Sequence, residues 1–367
     1  MDTPAALIDT LKMQRNIRRM QHRADSLGVQ LRPHVKTHKC AHVVAAQMAA
    51  GARGITVSTL KEAEYFLAQG ITDILYAVAM APHKLPQALA LLRNGCELTL
   101  ITDSLAGAQA IVDFGQQHNA TFAVMIEIDC DGHRSGVKPQ DPLLLEIARL
   151  LGAHLTGVLT HAGESYGLDT PEALQAIAEQ ERARCVEAAQ RIRAAGLPCA
   201  HVSVGSTPTA LSAANLDGVT ELRAGVYAFF DLVMHNIGVC GIDELALSVL
   251  TTVIGHQPEK GWIITDSGWM AMSRDRGTQA QKRDFGYGQV RDEHGLPIEG
   301  LLLSSANQEH GVAQFQSRQV DVVAQFPLGT RLRILPNHAC ATGAQFGSYN
   351  ALLESGQIQE WPRLRGW

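Results

Sequence analysis

Two short stretches of this chain concentrate residues able to do chemistry. The first is Arg32-Pro33-His34-Val35-Lys36-Thr37-His38-Lys39-Cys40. It lies where a strand-like run, Val29 to Leu31, gives way to a helical one, Ala41 to Ala50, and in an α/β fold that junction is at the rim where catalytic groups collect. Crowding a lysine with His34, His38 and Lys39 disfavours its charged form, and a neutral amine is the nucleophile that Schiff-base chemistry needs. A basic loop that binds an anion or meets water has the same composition, so these residues leave both readings open. The second stretch is Leu335-Pro336-Asn337-His338-Ala339-Cys340-Ala341-Thr342. His338 and Cys340 are two apart, so in an extended segment both leave one face and can share a metal ion, with positions open for water or substrate. A buried cysteine beside a satisfied histidine would give the same pattern without metal.

Such groups need a frame, and the apolar periodicity supplies one. Short β-branched runs recur at Val29 to Leu31, Ile55 to Val57, Ile74 to Val78, Leu98 to Ile101, Phe122 to Ile128, Leu155 to Leu159, His201 to Val204 and Val219 to Arg223. Segments of helical composition separate them, among them Leu60 to Ala68, Leu85 to Leu92, Leu105 to Phe114, Leu143 to Leu151 and Pro171 to Ala195. Eight strands alternating with helices read as a (β/α)8 TIM barrel. Beyond about residue 245 the rhythm changes. Leu247 to Ile254, Trp262 to Thr265, Ile298 to Leu303, Val320 to Ala324 and Leu332 to Leu335 are strand-like, with turn-rich pieces between them, and all four tryptophans fall in this part. The expected division is a barrel over 10–242 and a mainly β domain made of 1–9 and 243–367.

In a barrel the residues after each strand face one rim, so they can be read as a site. Gly205-Ser206-Thr207 offers small residues, hydroxyls and backbone N–H groups ahead of a helix, as a phosphate cradle after the seventh strand would, and Gly225 permits close approach after the eighth. A capped turn explains the same glycine and serine. Arg134 and Tyr166, after the fifth and sixth strands, can meet polar atoms of a ring or serve as structural hydrogen-bonders. Together these loops describe a phosphate-bearing aromatic cofactor.

The chain's 367 residues, 46% hydrophobic and 18% charged, suit a globular protein, and a net charge of −5 argues against nucleic acid as a partner. No apolar run approaches bilayer length and Met1-Asp2-Thr3-Pro4 is not a signal peptide, so no membrane partner and a cytoplasmic location are expected. Seven scattered cysteines fit reduced thiols.

The motif combination resembles the D-serine dehydratase and D-threonine aldolase family, pyridoxal-phosphate enzymes of fold type III with an alanine-racemase-like barrel. Beside the lysine stretch it rests on His161-Ala-Gly-Glu-Ser-Tyr166, Gly205-Ser-Thr-Pro-Thr209, Gly225-Val-Tyr227, Asp266 to Gly277, Asn307 to Gly311 and Pro336 to Thr342. The resemblance implies that Lys36 is the Schiff-base lysine and that pyridoxal 5'-phosphate meets His34, Arg134, His161, Tyr166, Ser206, Thr207, Gly225, Val226 and Tyr227. Val226 stands where some relatives carry a polar residue, so its backbone N–H is the part expected to matter. The resemblance also implies a divalent metal on His338 and Cys340, with Zn²⁺ favoured by the thiolate over Mg²⁺ or Mn²⁺, and a homodimer. The implied substrate is a D-3-hydroxy amino acid, foremost D-threo-3-hydroxyaspartate giving oxaloacetate and ammonia, with D-serine to pyruvate as a further reaction. A dicarboxylate needs a cation, for which Arg274 and Arg276 are the candidates. The alternative is aldolase-type cleavage to glycine and an aldehyde, and there the family's aldolases resemble His-x-Asp rather than His-x-Cys.

Overall fold

Strand and helix alternate as the apolar pattern requires in the computed structural model, which describes residues 1–317 and 319–367. After β1 (Ala5–Asp9) and α1 (Thr10–Ser26) come β2 (Gln30–Pro33), β3 (Ile55–Val57), β4 (Asp73–Ala79), β5 (Glu97–Thr102), β6 (Ala123–Ile128), β7 (Leu155–Thr160), β8 (His201–Val204) and β9 (Glu221–Ala224). These eight, β2 to β9, form one parallel sheet in the order β2-β9-β8-β7-β6-β5-β4-β3. The chain splits into two compact units, one of Arg18–Gly225 with Gly366–Trp367, the other of Met1–Ile17 with Val226–Arg365.

In the first unit the helices start where their caps dictate. Asp141 accepts the Leu143 N–H ahead of the helix Pro142–Leu151, whose Leu144, Ile147, Ala148 and Leu151 are buried at helical spacing. Thr170 accepts the Ala173 N–H ahead of Pro171–Ala194, with proline at the first helical position where its missing donor costs nothing. Leu75, Ile101, Met125 and Leu159 pack together from β4 to β7, and burying each is worth about 1.5–3 kcal/mol.

The end strands β2 and β3 are joined by a single bridge, His34 to Thr56, and by the Arg53 N–H donating to Leu31 (2.8 Å). One side chain reinforces this seam. Arg32 donates from Nε to Glu221 on β9 (2.5 Å) and from its two terminal nitrogens to Asp73 at the start of β4 (2.6 and 3.0 Å), so it spans from β9 past β3. Its side chain is 13% exposed and that of Glu221 9%.

The second unit continues with β10 (Leu247–Gln257), β11 (Trp262–Thr265), β12 (Gly288–Asp292), β13 (Pro297–Ala306), β14 (Gly311–Phe315), β15 (Arg331–Pro336), β16 (Ser348–Leu352) and β17 (Ile358–Pro362). The sheet order is β11-β14-β13-β12-β15-β10-β1-β16-β17, and a further β10–β11 pairing closes the first six into a ring. Val249, Val253, Ile263, Val290, Leu301, Leu303, Ala313, Leu332 and Ile334 form its buried core. Every pairing is antiparallel except β1 with β16.

One expected strand is not there. Val322–Gln325, overlapping the run Val320 to Ala324, is a helical turn, because Asp321 accepts the Ala324 N–H (3.0 Å) and that local bond overrides the β preference of the valines. β12, β14, β16 and β17 form without having been anticipated. Among the described residues no helix is long and apolar enough to cross a membrane, and all seven cysteines are free thiols.

The Arg32 bridge yields a stability prediction. Arg32→Ala removes the guanidinium from the buried Glu221 carboxylate and leaves it the Ser203 hydroxyl (2.6 Å) as hydrogen-bond donor, so urea unfolding should show a loss of about 3–5 kcal/mol. A loss under about 1 kcal/mol would mean the seam does not need the guanidinium.

Candidate active site

Past β2 the His34 N–H still donates to Ala224 (2.8 Å), prolonging the ladder with β9, and then the chain turns into a short 3-10 helix, Val35–Thr37. His34 caps that turn, its Nδ1 accepting the Lys36 N–H (3.5 Å), and its Nε2 faces the Ser58 hydroxyl (3.5 Å). Burial, with the charges of Lys36, Arg223 and His161 adding to it, holds His34 well below the usual imidazole range, so the ring is neutral. Val35, Thr37 and His38 point inward while Lys36 is exposed at the rim. Lys39 has left-handed backbone (φ +47) and its ammonium lies 2.9 Å from the fully buried carboxylate of Glu62. Of the two lysines, Lys39 is committed to an ion pair.

The loop after β8 is shaped by Gly205, whose φ is +136 and where a Cβ would stand 2.1 Å from the Arg223 carbonyl oxygen, so no other residue fits. Ser206 and Thr209 cap each other's backbone N–H groups (2.9 and 3.2 Å), and the Ser206 hydroxyl meets that of Ser165 from the loop after β7 (2.9 Å). Thr207 is fully buried and its Oγ1 has no hydrogen-bond partner. Gly225 brings β9 against the first loop, with its position for a Cβ 3.1 Å from the His34 carbonyl oxygen. A cradle too tight for side chains, holding an unsatisfied hydroxyl, fits a phosphate group.

Glu181, buried in the long helix Pro171–Ala194, organises this rim. It accepts the N–H of Ala162 (2.8 Å) and of Gly205 (3.1 Å), and burial raises its carboxyl above the usual range against the pull of the Thr209 hydroxyl, those two bonds and the Arg223 charge. His161 points its Nδ1 at the Gly205 carbonyl (3.0 Å), an arrangement in which the nitrogen donates. Burial, opposed by that bond and helped by Lys36, Arg223 and Arg134, takes His161 down to about 4. Arg223, on β9, donates to the Ser203 hydroxyl (2.6 Å) and the Thr160 carbonyl (2.5 Å). The Tyr166 ring lies 6.0 Å from that of His161, and Arg134 is largely exposed, 3.4 Å from Glu127. Val226 and Tyr227, both buried, are the first residues of the second unit after Gly225.

In the second unit His338 precedes the short helix Ala339–Gly343, which carries Cys340. Its Nδ1 is 2.5 Å from Asp275 Oδ2, and Cys340 is within hydrogen-bond reach of the ring. Burial alone would lower His338, but Cys340, Asp275 and Asp231 outweigh it and carry the imidazole up to about 11. Asp231 is buried and accepts the N–H of Met234 (3.0 Å) and of Ala339 (2.9 Å), fixing the start of the helix. Among the described residues no group of three or more His, Cys, Asp or Glu is arranged to hold a metal. His338 and Cys340 are a two-donor set, nitrogen and sulfur, of the kind that leaves coordination positions to exogenous ligands. Arg276 is taken by Asp284 (2.6 Å) and the Gly286 carbonyl, whereas Arg274 lies over the Trp269 ring (5.1 Å).

Glu181, Arg223, Asp231 and Asp275 escaped sequence reasoning. Asp275 stood between the two arginines singled out, and Arg223 two residues before Gly225, but nothing in a charged helix distinguishes Glu181.

The alanine racemase N-terminal domain model matches residues 8–233, and a putative serine dehydratase domain model matches residues 246–352. The chain is 67% identical to D-threo-3-hydroxyaspartate dehydratase of Delftia sp. (strain HT23), over 100% of this chain and 98% of that one. It is 29% identical to a D-serine dehydratase of Dictyostelium discoideum, over 98% of this chain and 95% of that one. A solved structure of a D-threo-3-hydroxyaspartate dehydratase mutant in the metal-free form has a TM-score of 0.99 and 66% identity, covering 100% of this chain and 98% of its own. The alanine-racemase-like barrel with a second β domain, expected from the sequence, is the fold observed.

The depressed His161 makes stability depend on pH. Its folded value, about 4, lies below the ordinary 6.5, so the unfolded chain takes up the proton first. The contribution is present in full above 6.5 and is lost as pH falls through about 4. The urea midpoint should drop across that window, and His161→Gln, which keeps an N–H for the Gly205 carbonyl, should flatten the drop. Equal slopes in the two proteins would exclude His161 as its source.

Proposed function

This chain belongs to the alanine racemase N-terminal domain family, and from that premise we propose that it is a pyridoxal-phosphate- and metal-dependent lyase that dehydrates D-3-hydroxy amino acids. D-threo-3-hydroxyaspartate is the foremost substrate, giving oxaloacetate and ammonia, and D-serine gives pyruvate. The single observation that carries the proposal is the 67% identity over the full chain to an enzyme of that name. The seven free thiols favour a reducing compartment, the cytoplasm, and the resemblance favours a homodimer.

The residues divide the work. Pyridoxal phosphate, when bound, supplies an electron sink for the charge left at Cα. Ser206, Thr207 and the backbone around Gly205 and Gly225 hold its phosphate, and the Thr207 hydroxyl gains the partner it lacks. Lys36 would anchor the cofactor, and its Nζ is the group that takes the α-proton. Neutral His34 and His161 add no positive charge beside that amine. His338 and Cys340 would hold a divalent ion, Zn²⁺ first, which would supply Lewis acidity for the β-hydroxyl. Arg274 is the cation for the far carboxylate, since Arg276 already has Asp284.

Borohydride reduction of the holoenzyme followed by peptide mapping should place the cofactor on Lys36. Lys39, tied to Glu62, should carry none; a label there would remove the central assignment.

The reaction itself is decided by products. Incubation with D-threo-3-hydroxyaspartate should yield oxaloacetate and ammonia. Glycine and glyoxylate as the main products would mean that the β-hydroxyl is deprotonated instead of expelled and that the chain is an aldolase, the reading that Cys340 in place of an aspartate disfavours.

A further inference from the structure

Asp275 lies outside the residues assigned to cofactor, metal or substrate, yet it makes one of the shortest side-chain contacts of the second unit. Its Oδ2 is 2.5 Å from His338 Nδ1. A lone imidazole has two tautomers and can swing about its side-chain bonds, so either nitrogen could face an ion. A carboxylate on Nδ1 removes that freedom: it fixes the proton on Nδ1, leaves the Nε2 lone pair for a ligand, and makes that nitrogen a stronger base. We infer that Asp275 is a positioning residue that orients His338 for the metal through Nε2 and strengthens it as a ligand, an inference that rests on the metal reading above.

The surroundings show a carboxylate built in at this spot. Ser273, buried and with φ +69, turns the chain, and its hydroxyl accepts the Asp275 N–H (3.2 Å). A non-glycine residue held in that region costs about 1–3 kcal/mol and persists only where the surroundings enforce it. From the other side Thr342, on the helix that carries Cys340, donates its hydroxyl to the Met272 carbonyl (2.8 Å). The turn bearing Asp275 and the helix following His338 are thus tied together independently of the His338–Asp275 bond. Asp231 fixes the same helix through the Ala339 N–H, but its two oxygens are spent on backbone donors. Among the carboxylates of the described residues, Asp275 is the one hydrogen-bonded to the ring at Nδ1.

The test is zinc affinity, read without turnover. Holoenzyme stripped of metal is titrated with Zn²⁺ against a chromophoric chelator, and thermal melting and cofactor absorbance are followed in parallel. Asp275→Ala should weaken zinc binding about 10–100-fold with the cofactor absorbance retained, the loss typical of a histidine deprived of its carboxylate. Asp275→Asn keeps an acceptor for Nδ1–H but not the charge, so its loss should be smaller, about 3–10-fold. Substitution of Co²⁺ gives a second readout, because a reoriented imidazole changes the d–d spectrum, which a merely structural role would not move. Zinc affinity within about twofold of wild type in the alanine variant, or in the asparagine variant if the alanine variant does not fold, overturns the inference while leaving the dehydratase reading intact. Wild-type protein that takes up no zinc overturns the metal reading and this inference together.

Discussion

A carboxyl group with no water around it holds the barrel rim in shape. Glu181 comes from the buried face of the helix Pro171–Ala194, among Ala178 and Cys185, and its oxygen accepts two backbone N–H groups, of Ala162 after β7 and of Gly205 after β8. An unpaired buried acceptor is costly and so are unpaired buried donors, so the three groups are satisfied only when both loops close on the same point. From that point the rest follows. Gly205 is placed so that its carbonyl meets His161, Ser206 so that its hydroxyl meets Ser165, and Thr207 so that its own hydroxyl is left over.

The same desolvation sorts the charges around the lysine. Arg223 remains the buried cation, fixed by a hydroxyl and a carbonyl, and both histidines are held neutral. Glu62 is occupied by Lys39. That ion pair separates two lysines that composition alone cannot tell apart.

Much of this was legible in the sequence, and the limits are physical. The eight barrel strands are short apolar runs between capped helices, so local pattern located them. Residues 1–9 are assigned to the β domain without a strand being marked there, because β1 pairs with residues such as Leu250 and Asn350, far along the chain, and nothing local encodes such pairings. The Val320 to Ala324 run was misread because an aspartate cap outweighs β-branched composition. In the site, residues with distinctive chemistry on loops were found, Lys36, His338 and Cys340 among them. The buried polar groups that hold those loops were not, since Glu181 and Asp231 look like any surface acid until the fold removes their water.

The two units also differ in how much their residues constrain chemistry. The cradle of the barrel is closely confined, because Gly205 tolerates no side chain and Thr207 holds a buried hydroxyl without a partner. The pair His338 and Cys340 is looser. Two protein donors leave the remaining positions of an ion to exchangeable ligands, which a reaction that must take hold of a substrate oxygen requires. A third protein donor would raise affinity at the expense of one of those positions. Affinity must then be gained without adding a ligand, and a carboxylate behind the histidine does this by strengthening the donor already present. Softness acts in the same direction, because a thiolate favours zinc over the harder ions that a carboxylate would suit. On the proposed metal reading, a site built this way releases its ion more readily than a closed four-ligand site.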